Sequence, residues 1–305
     1  MYKTRKQLKK AALNALSGKW GLATPMALVM FFVSVSLSYN GNSAFGITIL
    51  PILSSLLTVI LNVGFYSFML KLLCGQKEHA NFQDLFYGFK CYPGKALLLY
   101  LLTTLYMLPG TLIYIIGICI FVFVIYASAG VSMNLMMTGS VPVNYTLMLA
   151  VLVMVIIMTL LYMVYAFYIN STYAAVYFLL LDYPDLSATE IWKRSALLMK
   201  GNRLRYIGLQ LSFLLWIFLC LCTFGIGILW LTPYMSATTT AFYLDLVQKQ
   251  AYKKQASVAP NQYTSHESAE HITDTNLTHN CEIVHPETQS KDGNDYSGID
   301  PDTFK

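Results

Sequence analysis

Residues 96–127 read ALLLYLLTTLYMLPGTLIYIIGICIFVFVIYA, without a charged side chain. About 20 apolar residues in helical form cross a hydrocarbon core of about 30 Å, so this run passes through a bilayer with residues to spare. Backbone in lipid must satisfy its N–H and C=O groups internally, which makes a helix the form such a run takes. Pro109-Gly110, in its middle, is the place where the helix is expected to be interrupted.

Outward from this stretch, similar apolar runs lie at about 21–38, 46–70, 145–181, 205–223 and 226–247. Together they predict an all-α membrane protein with six transmembrane helices. Composition agrees. Charged residues make up 11% of the 305-residue chain and mean hydropathy is +0.54, whereas soluble domains carry about 25% charged residues. So few charges cannot cover a water-facing surface. The basic start from Lys3 to Lys10 has the look of a signal peptide. Trp20 and Pro25 break into the apolar run behind it and no small-residue cleavage pattern appears, so the first run is expected to stay as a span.

The charges set the expected orientation. The connections at 39–45, 128–144 and 224–225 hold no charged residue. Every Lys and Arg falls in one of four segments: Lys3 to Lys19, Lys71 to Lys95, Lys193 to Arg205, and Lys249 to Lys305. With six spans these four share one side, and the positive-inside rule makes that side cytoplasmic. The expectation is a plasma-membrane protein with both termini in the cytoplasm. Residues 1–254 carry a net charge of +12 and residues 255–305 one of −7. The second part is polar and interrupted by Pro260, Pro286 and Pro301. It reads as an acidic, disordered cytoplasmic tail behind a polytopic membrane domain, because it has too little apolar surface to offset the entropy of ordering.

The basic segments before spans one, three and five share a layout. Thr4 and Gln7, Asn81 and Asp84, and Ser187 and Glu190 stand at capping-box spacing. Apolar residues come next at helical period: Leu8, Ala11, Ala12 and Ala15; then Phe82, Leu85, Phe86 and Phe89; then Ala188, Ile191, Trp192 and Met199. Gly18, Gly94 and Gly201 end the three segments, as glycine does where a helix exits through a left-handed residue. This predicts three short amphipathic helices on the cytoplasmic membrane surface, apolar stripe at the acyl boundary and Lys and Arg on anionic lipid headgroups. It also predicts an internal repeat of three units, each a surface helix plus two spans.

Catalytic and binding motifs are sparse. There is no HExxH, GxSxG or P-loop pattern. The six cysteines lack His at zinc-ligand spacing and read as small apolar packing residues. Four of the five histidines lie in the acidic tail at irregular spacing. The spans hold almost no ionisable residue, and Lys71 and Asp245 lie near cytoplasmic ends, where snorkelling suffices. Asn62, Asn170, Gln210 and the run Thr238 to Thr240 are deep neutral polar groups, expected to bond helix to helix or to line a cavity. Pro51, Pro109-Gly110 and Pro233 interrupt apolar runs and are expected to make packing kinks, the alternative being broken helices that expose backbone to a substrate; Gly225 and Gly227 are expected to make an outer turn. These readings point to no catalytic residue, cofactor or metal, and to no nucleic-acid partner.

The chain resembles a bacterial membrane family, domain of unknown function 975, found mainly in Gram-positive organisms. The likeness rests on Ser195-Ala-Leu-Leu-Met-Lys-Gly-Asn-Arg203, Leu211-Ser-Phe-Leu-Leu-Trp216, Gly225-Ile-Gly-Ile-Leu-Trp-Leu-Thr-Pro-Tyr234 and Thr240-Ala-Phe-Tyr-Leu-Asp245. Arg5, Leu8, Lys9, Leu16, Gly18 and Trp20 fit it, as does Asp84-Leu-Phe-Tyr-Gly-Phe89. It covers about residues 1–250 and implies an integral membrane protein, with no catalytic residues to carry over. The expectation is a non-enzymatic scaffold, regulator or accessory whose partners are lipid and a further membrane protein. The alternative is a permease or exporter of a small amphiphile or peptide, for which a polar cavity open to one side would speak.

Overall fold

Helix α1, Arg5–Leu16, begins at the predicted cap: Thr4 Oγ1 accepts from the Gln7 N–H at 3.4 Å, and the Thr4 N–H donates to Gln7 Oε1 at 2.7 Å. It ends in a type II turn. Ser17 (φ −58°, ψ 124°) precedes Gly18 at φ +83°, and the Lys19 N–H donates to the Leu16 carbonyl at 2.9 Å. Only glycine takes that second position without strain. The chain bends by 100° there into α2, Trp20–Ser36. The computed structural model describes residues 3–36, 44–90, 92–136, 145–223, 225 and 227–258; the predicted tail lies almost wholly outside them.

The remaining helices are α3 (Ala44–Leu73), α4 (Tyr87–Lys90), α5 (Pro93–Met136), α6 (Tyr145–Tyr173), α7 (Val176–Asp182), α8 (Ala188–Met199), α9 (Arg203–Leu211), α10 (Leu214–Cys222) and α11 (Ile228–Val258). Short 3-10 turns at Lys77–His79 and Phe82–Phe86 lie between α3 and α4. No strand occurs among the described residues. At the centre, α11 packs on α1, α2 and α3, while α8 packs on α5, α6 and α7. Every residue of α11 from Ala237 to Leu246 is buried.

Four helical stretches are long and apolar enough to cross a membrane: Ile52–Leu73, Pro93–Val124, Leu149–Asp182 and Arg203–Cys222; the bent pair α1–α2 would make a fifth. The sequence predicts six such spans. The sixth run forms α11, the least apolar of the long helices. It is walled by protein along 237–246, so Thr238 to Thr240 and Asp245 never have to meet lipid.

Helix continues through the prolines, so the interruption expected at Pro109-Gly110 is not a break in the helix. α5 runs through Pro109 and α11 through Pro233. Gly110 serves packing instead: a Cβ there would sit 2.2 Å from Cε1 of Tyr165 on α6. The real interruptions fall at 174–175 and 212–213, with no proline, while Gly225 (φ +82°) does turn the chain between α10 and α11.

Two surface-helix expectations change as well. In α1, Leu8, Ala12, Ala15 and Leu16 are buried against protein, and in α8 so are Ala188, Ile191, Ser195, Leu198 and Met199. Their apolar stripes therefore cover the core, not an acyl boundary. The middle segment matches the stripe better: Phe82, Phe86 and Phe89 are exposed while Leu85 points inward. It leaves through Tyr92 at φ +50°, with Gly94 already inside α5. Cys74, expected to be an unbonded packing residue, is disulfide-bonded.

Candidate functional site

Two features built by this fold could carry function: a set of buried polar joints, and a cleft lined by neutral hydrogen-bonding groups.

The joints come first in the chain. Lys71, on the last turn of α3, reaches Asp84 at 2.7 Å, with both side chains largely buried. Asp84 uses its other oxygen to accept the Asn81 N–H at 2.9 Å, so the predicted capping residue is also an ion-pair partner. Close backbone contact fixes the segment further, since a Cβ on Gly64 or Gly88 would fall 2.0 Å from the Leu85 carbonyl oxygen or 2.1 Å from that of Ile60. Around α11, Asp245 accepts from Arg205 at 2.5 Å and from the Lys3 N–H at 3.1 Å, and Arg205 also donates to the Lys3 carbonyl at 2.6 Å. Asp182, on α7, accepts from the Tyr243 hydroxyl. Lys71 and Asp245 thus do not snorkel: they tie distant parts of the chain. Sequence order hid these pairs, because partners such as Arg205 and Asp245 are far apart along it.

Ser187 and Glu190 form the third predicted cap: the Ser187 N–H donates to Glu190 Oε2 at 3.0 Å and the Glu190 N–H to Ser187 Oγ at 3.4 Å. Those bonds from Ser187 hold the Glu190 carboxyl below its usual range. α8 then exits as α1 does. Lys200 (φ −59°, ψ 122°) leads to Gly201 at φ +83°, and the Asn202 N–H donates to the Met199 carbonyl at 3.0 Å.

The cleft, about 360 Å³, lies between α2, α3, α5 and α7. Ser54, Ser55, Thr58 and Asn62 line it from one face of α3, Ser34 from α2, and Tyr100 and Tyr177 from α5 and α7. Ser34 Oγ lies 3.5 Å from Thr58 Oγ1. Tyr66 occupies the next turn of the same face of α3; it stacks on Tyr177 (6.2 Å between centroids) and packs against Phe178 (4.7 Å). The described lining holds no ionised group, so it offers hydrogen bonds without proton transfer.

Of the deep polar residues singled out from sequence, Asn62 lines this cleft, and its amide donates to the Thr58 carbonyl at 2.9 Å. Asn170 does not: it is exposed on α6 and donates to the Ala166 carbonyl. Gln210 donates to the Tyr206 hydroxyl, and Thr238, Thr239 and Thr240 each donate to the carbonyl four residues back. Such local bonding within one helix replaces the helix-to-helix bonding expected of Asn62 and Asn170. Ser54, Ser55 and Thr58 were missed, although Ser54, Thr58 and Asn62 form an i, i+4, i+8 polar stripe in an apolar run. Among the described residues, no group of three or more His, Cys, Asp or Glu is placed to hold a metal ion.

The profile of the family described as protein of unknown function (DUF975) matches residues 1–250. The chain belongs to this family. The match takes in the joints, the cleft and all the described helices except the last residues of α11. No curated protein and no solved structure matches the DUF975 chain.

Proposed function

We propose that this DUF975 protein is a six-span protein of the plasma membrane, with both termini in the cytoplasm, and that it acts without catalysis as a scaffold or accessory of another membrane system. The observation carrying this reading is the use of the buried charges. Lys71 with Asp84 and Arg205 with Asp245 are joints that hold the re-entering segments on α3 and α11. Groups committed in this way give rigidity and are not free for acid–base work. The matching caps, turns and buried positions of α1 and α8, related by a constant offset of 183 residues from Thr4 and Ser187 to Gly18 and Gly201, support an internal repeat.

Cysteines placed at Asn42 and Thr138 are expected to react with an impermeant thiol reagent outside intact cells, while one at Gln76 stays silent. The reverse pattern overturns the orientation. Crosslinking in native membranes, followed by identification of what co-purifies, tests the accessory role; a chain that crosslinks only to itself and lipid overturns it. A second reading, passage of a small amphiphile, is favoured by the polar cleft between α2, α3, α5 and α7.

A further inference from the structure

We infer that the basic outer face of α1 is covered by the acidic segment of this same chain that follows α11, residues 259–305, through salt-sensitive contacts in which Lys6 and Lys10 meet its Asp and Glu side chains.

The charges of the folded part leave that face without a counterpart. α1 carries Arg5 and Lys6 in its first turn, Lys9 and Lys10 in the next, and no acid. Its apolar stripe is spent on the core, so Lys3, Arg5, Lys6 and Lys10 stay exposed. Residues 1–254 hold six Asp and Glu. Asp84 and Asp245 are in ion pairs, Asp182 accepts from Tyr243 and Glu190 closes the α8 cap. Among the described residues no carboxylate reaches Lys6 or Lys10 at ion-pair distance. The helix dipole adds to the positive potential at this end, where an anion is stabilised.

Position brings the tail to it. The Lys3 N–H donates to Asp245 of α11 at 3.1 Å, which puts the start of α1 and this part of α11 on one side of the membrane whatever the number of spans. About 20 Å of helix separates Asp245 from Val258, where α11 ends. The 47 residues that follow carry nine Asp and Glu against Lys291 and Lys305, a net of −7. A polar chain of that length spans about 35–40 Å root-mean-square, enough to return along α11 to Lys6 and Lys10. Single exposed pairs contribute little. Many acids on one tether, at an effective concentration on the order of millimolar, act together.

Anionic lipid is the rival occupant, and the makeup of the face argues against it. A helix at the acyl boundary shows lipid an apolar stripe. Of its large apolar side chains α1 exposes only Leu13, whereas the middle segment exposes Phe82, Phe86 and Phe89. The rest of the exposed surface of α1 is Thr4, Gln7, Asn14 and Ser17 beside the cations. Such a surface suits water and the carboxylates carried in it.

The test uses the full chain in phosphatidylcholine vesicles, a carbodiimide that joins Lys to Asp or Glu at contact, and peptide mapping by mass spectrometry. Lys6 and Lys10 are expected to join to acids between Glu267 and Asp302. Raising salt from about 0.1 M to 1 M shortens the screening length from about 10 Å to about 3 Å and is expected to cut these crosslinks several-fold. They are expected to persist in vesicles of phosphatidylcholine and phosphatidylglycerol in equal parts. Their loss there would make anionic lipid the occupant and overturn the proposal. A mixture of isotopically heavy and light protein separates crosslinks within a chain, as expected, from those between chains, which would also overturn it. Changing all nine tail acids to Asn or Gln alters nothing before Val258, and is expected to raise several-fold the rate at which an amine reagent modifies Lys6 and Lys10. An unchanged rate, wild-type crosslinks that ignore salt, or no crosslinks at all sinks the idea. Mapping on the wild-type chain decides the matter even where the neutralised variant does not insert. None of these readouts depends on the scaffold role.

Discussion

Gly64 and Leu85 meet backbone to backbone: a Cβ added at Gly64 would lie 2.0 Å from the Leu85 carbonyl oxygen and 2.7 Å from that of Asp84. Neither atom is the end of a flexible side chain, so Gly64→Ala must push the Phe82–Lys90 segment off α3. That movement also stretches the Lys71–Asp84 pair. Overpacking of this kind costs about 1–3 kcal/mol, and the loosened buried ion pair adds to it. Thermal unfolding in detergent is expected to show a clear loss for Gly64→Ala and Gly88→Ala. Gly94→Ala is the control: a Cβ there meets nothing within 4 Å, and no loss is expected.

The exposed rings of Phe82, Phe86 and Phe89 give a different outcome. They touch one another, with centroids 6.4 and 6.3 Å apart along the series, and face away from the core. Replacing all three with Ser is expected to weaken insertion of this face into a lipid boundary, at about 1.5–3 kcal/mol per fully buried ring. The segment itself should stay docked, because Leu85, Gly88 and Asp84 hold it from the other side. A spin label at residue 83 reports lipid contact, and slow hydrogen exchange of the amides of residues 84–88 reports docking. Loss of that protection in the Ser variant would show that the rings, not the joints, fix the segment.

Local chemistry was legible in the sequence, and long-range chemistry was not. The caps at Thr4, Asn81 and Ser187 were readable because each depends on a partner three residues away. Gly18 and Gly201 were readable for the same reason, since a type II turn demands glycine at one position. The ion pairs were not, because nothing near Asp245 in sequence names Arg205. The sixth run is the least apolar of the long helices, because α11 is buried by protein along 237–246 and carries polar residues there. At Pro109 and Pro233 the helices continue around the lost hydrogen bond, which a sequence pattern does not distinguish from a break. In the candidate cleft, Asn62 stood out alone because the hydroxyls of Ser54, Ser55 and Thr58 are weak signals in an apolar run until a second wall faces them.

The Arg205–Asp245 pair predicts a non-additive pattern. The Asp245 side chain is only 6% exposed and that of Arg205 22%. Removing one partner strands a charge and costs about 3–5 kcal/mol, whereas replacing both with apolar side chains of similar volume is often nearly neutral. Asp245→Leu and Arg205→Met are each expected to lower the unfolding temperature strongly, and the double variant to regain much of that loss. Because the Lys3 N–H also bonds Asp245, the double variant should still free the start of α1, seen as faster proteolysis before Thr4. Additive losses would show that the two residues act separately.

The two best-matched caps differ in one titratable group, and that predicts a pH response in one of them. Glu190 closes the α8 cap and Gln7 closes that of α1. Ser187 donates from its hydroxyl and its backbone N–H to the Glu190 carboxylate and holds its pKa below the usual value. A carboxyl depressed in the folded state contributes stability above its unfolded pKa, about 4.3 for glutamate, and loses it as pH falls through the folded value. The α8 cap should therefore loosen progressively below about pH 4.3, while the α1 cap, closed by an amide, does not respond. Amide hydrogen exchange separates them, after correction for the intrinsic pH dependence of exchange. The first-turn amides of α8 are expected to lose protection as the solution is acidified, and those of α1 to keep it. Glu190→Gln converts the third box to the chemistry of the first and should remove the response. If α8 keeps its protection at low pH in the wild-type chain, the Ser187 bonds do not depend on the charge of Glu190.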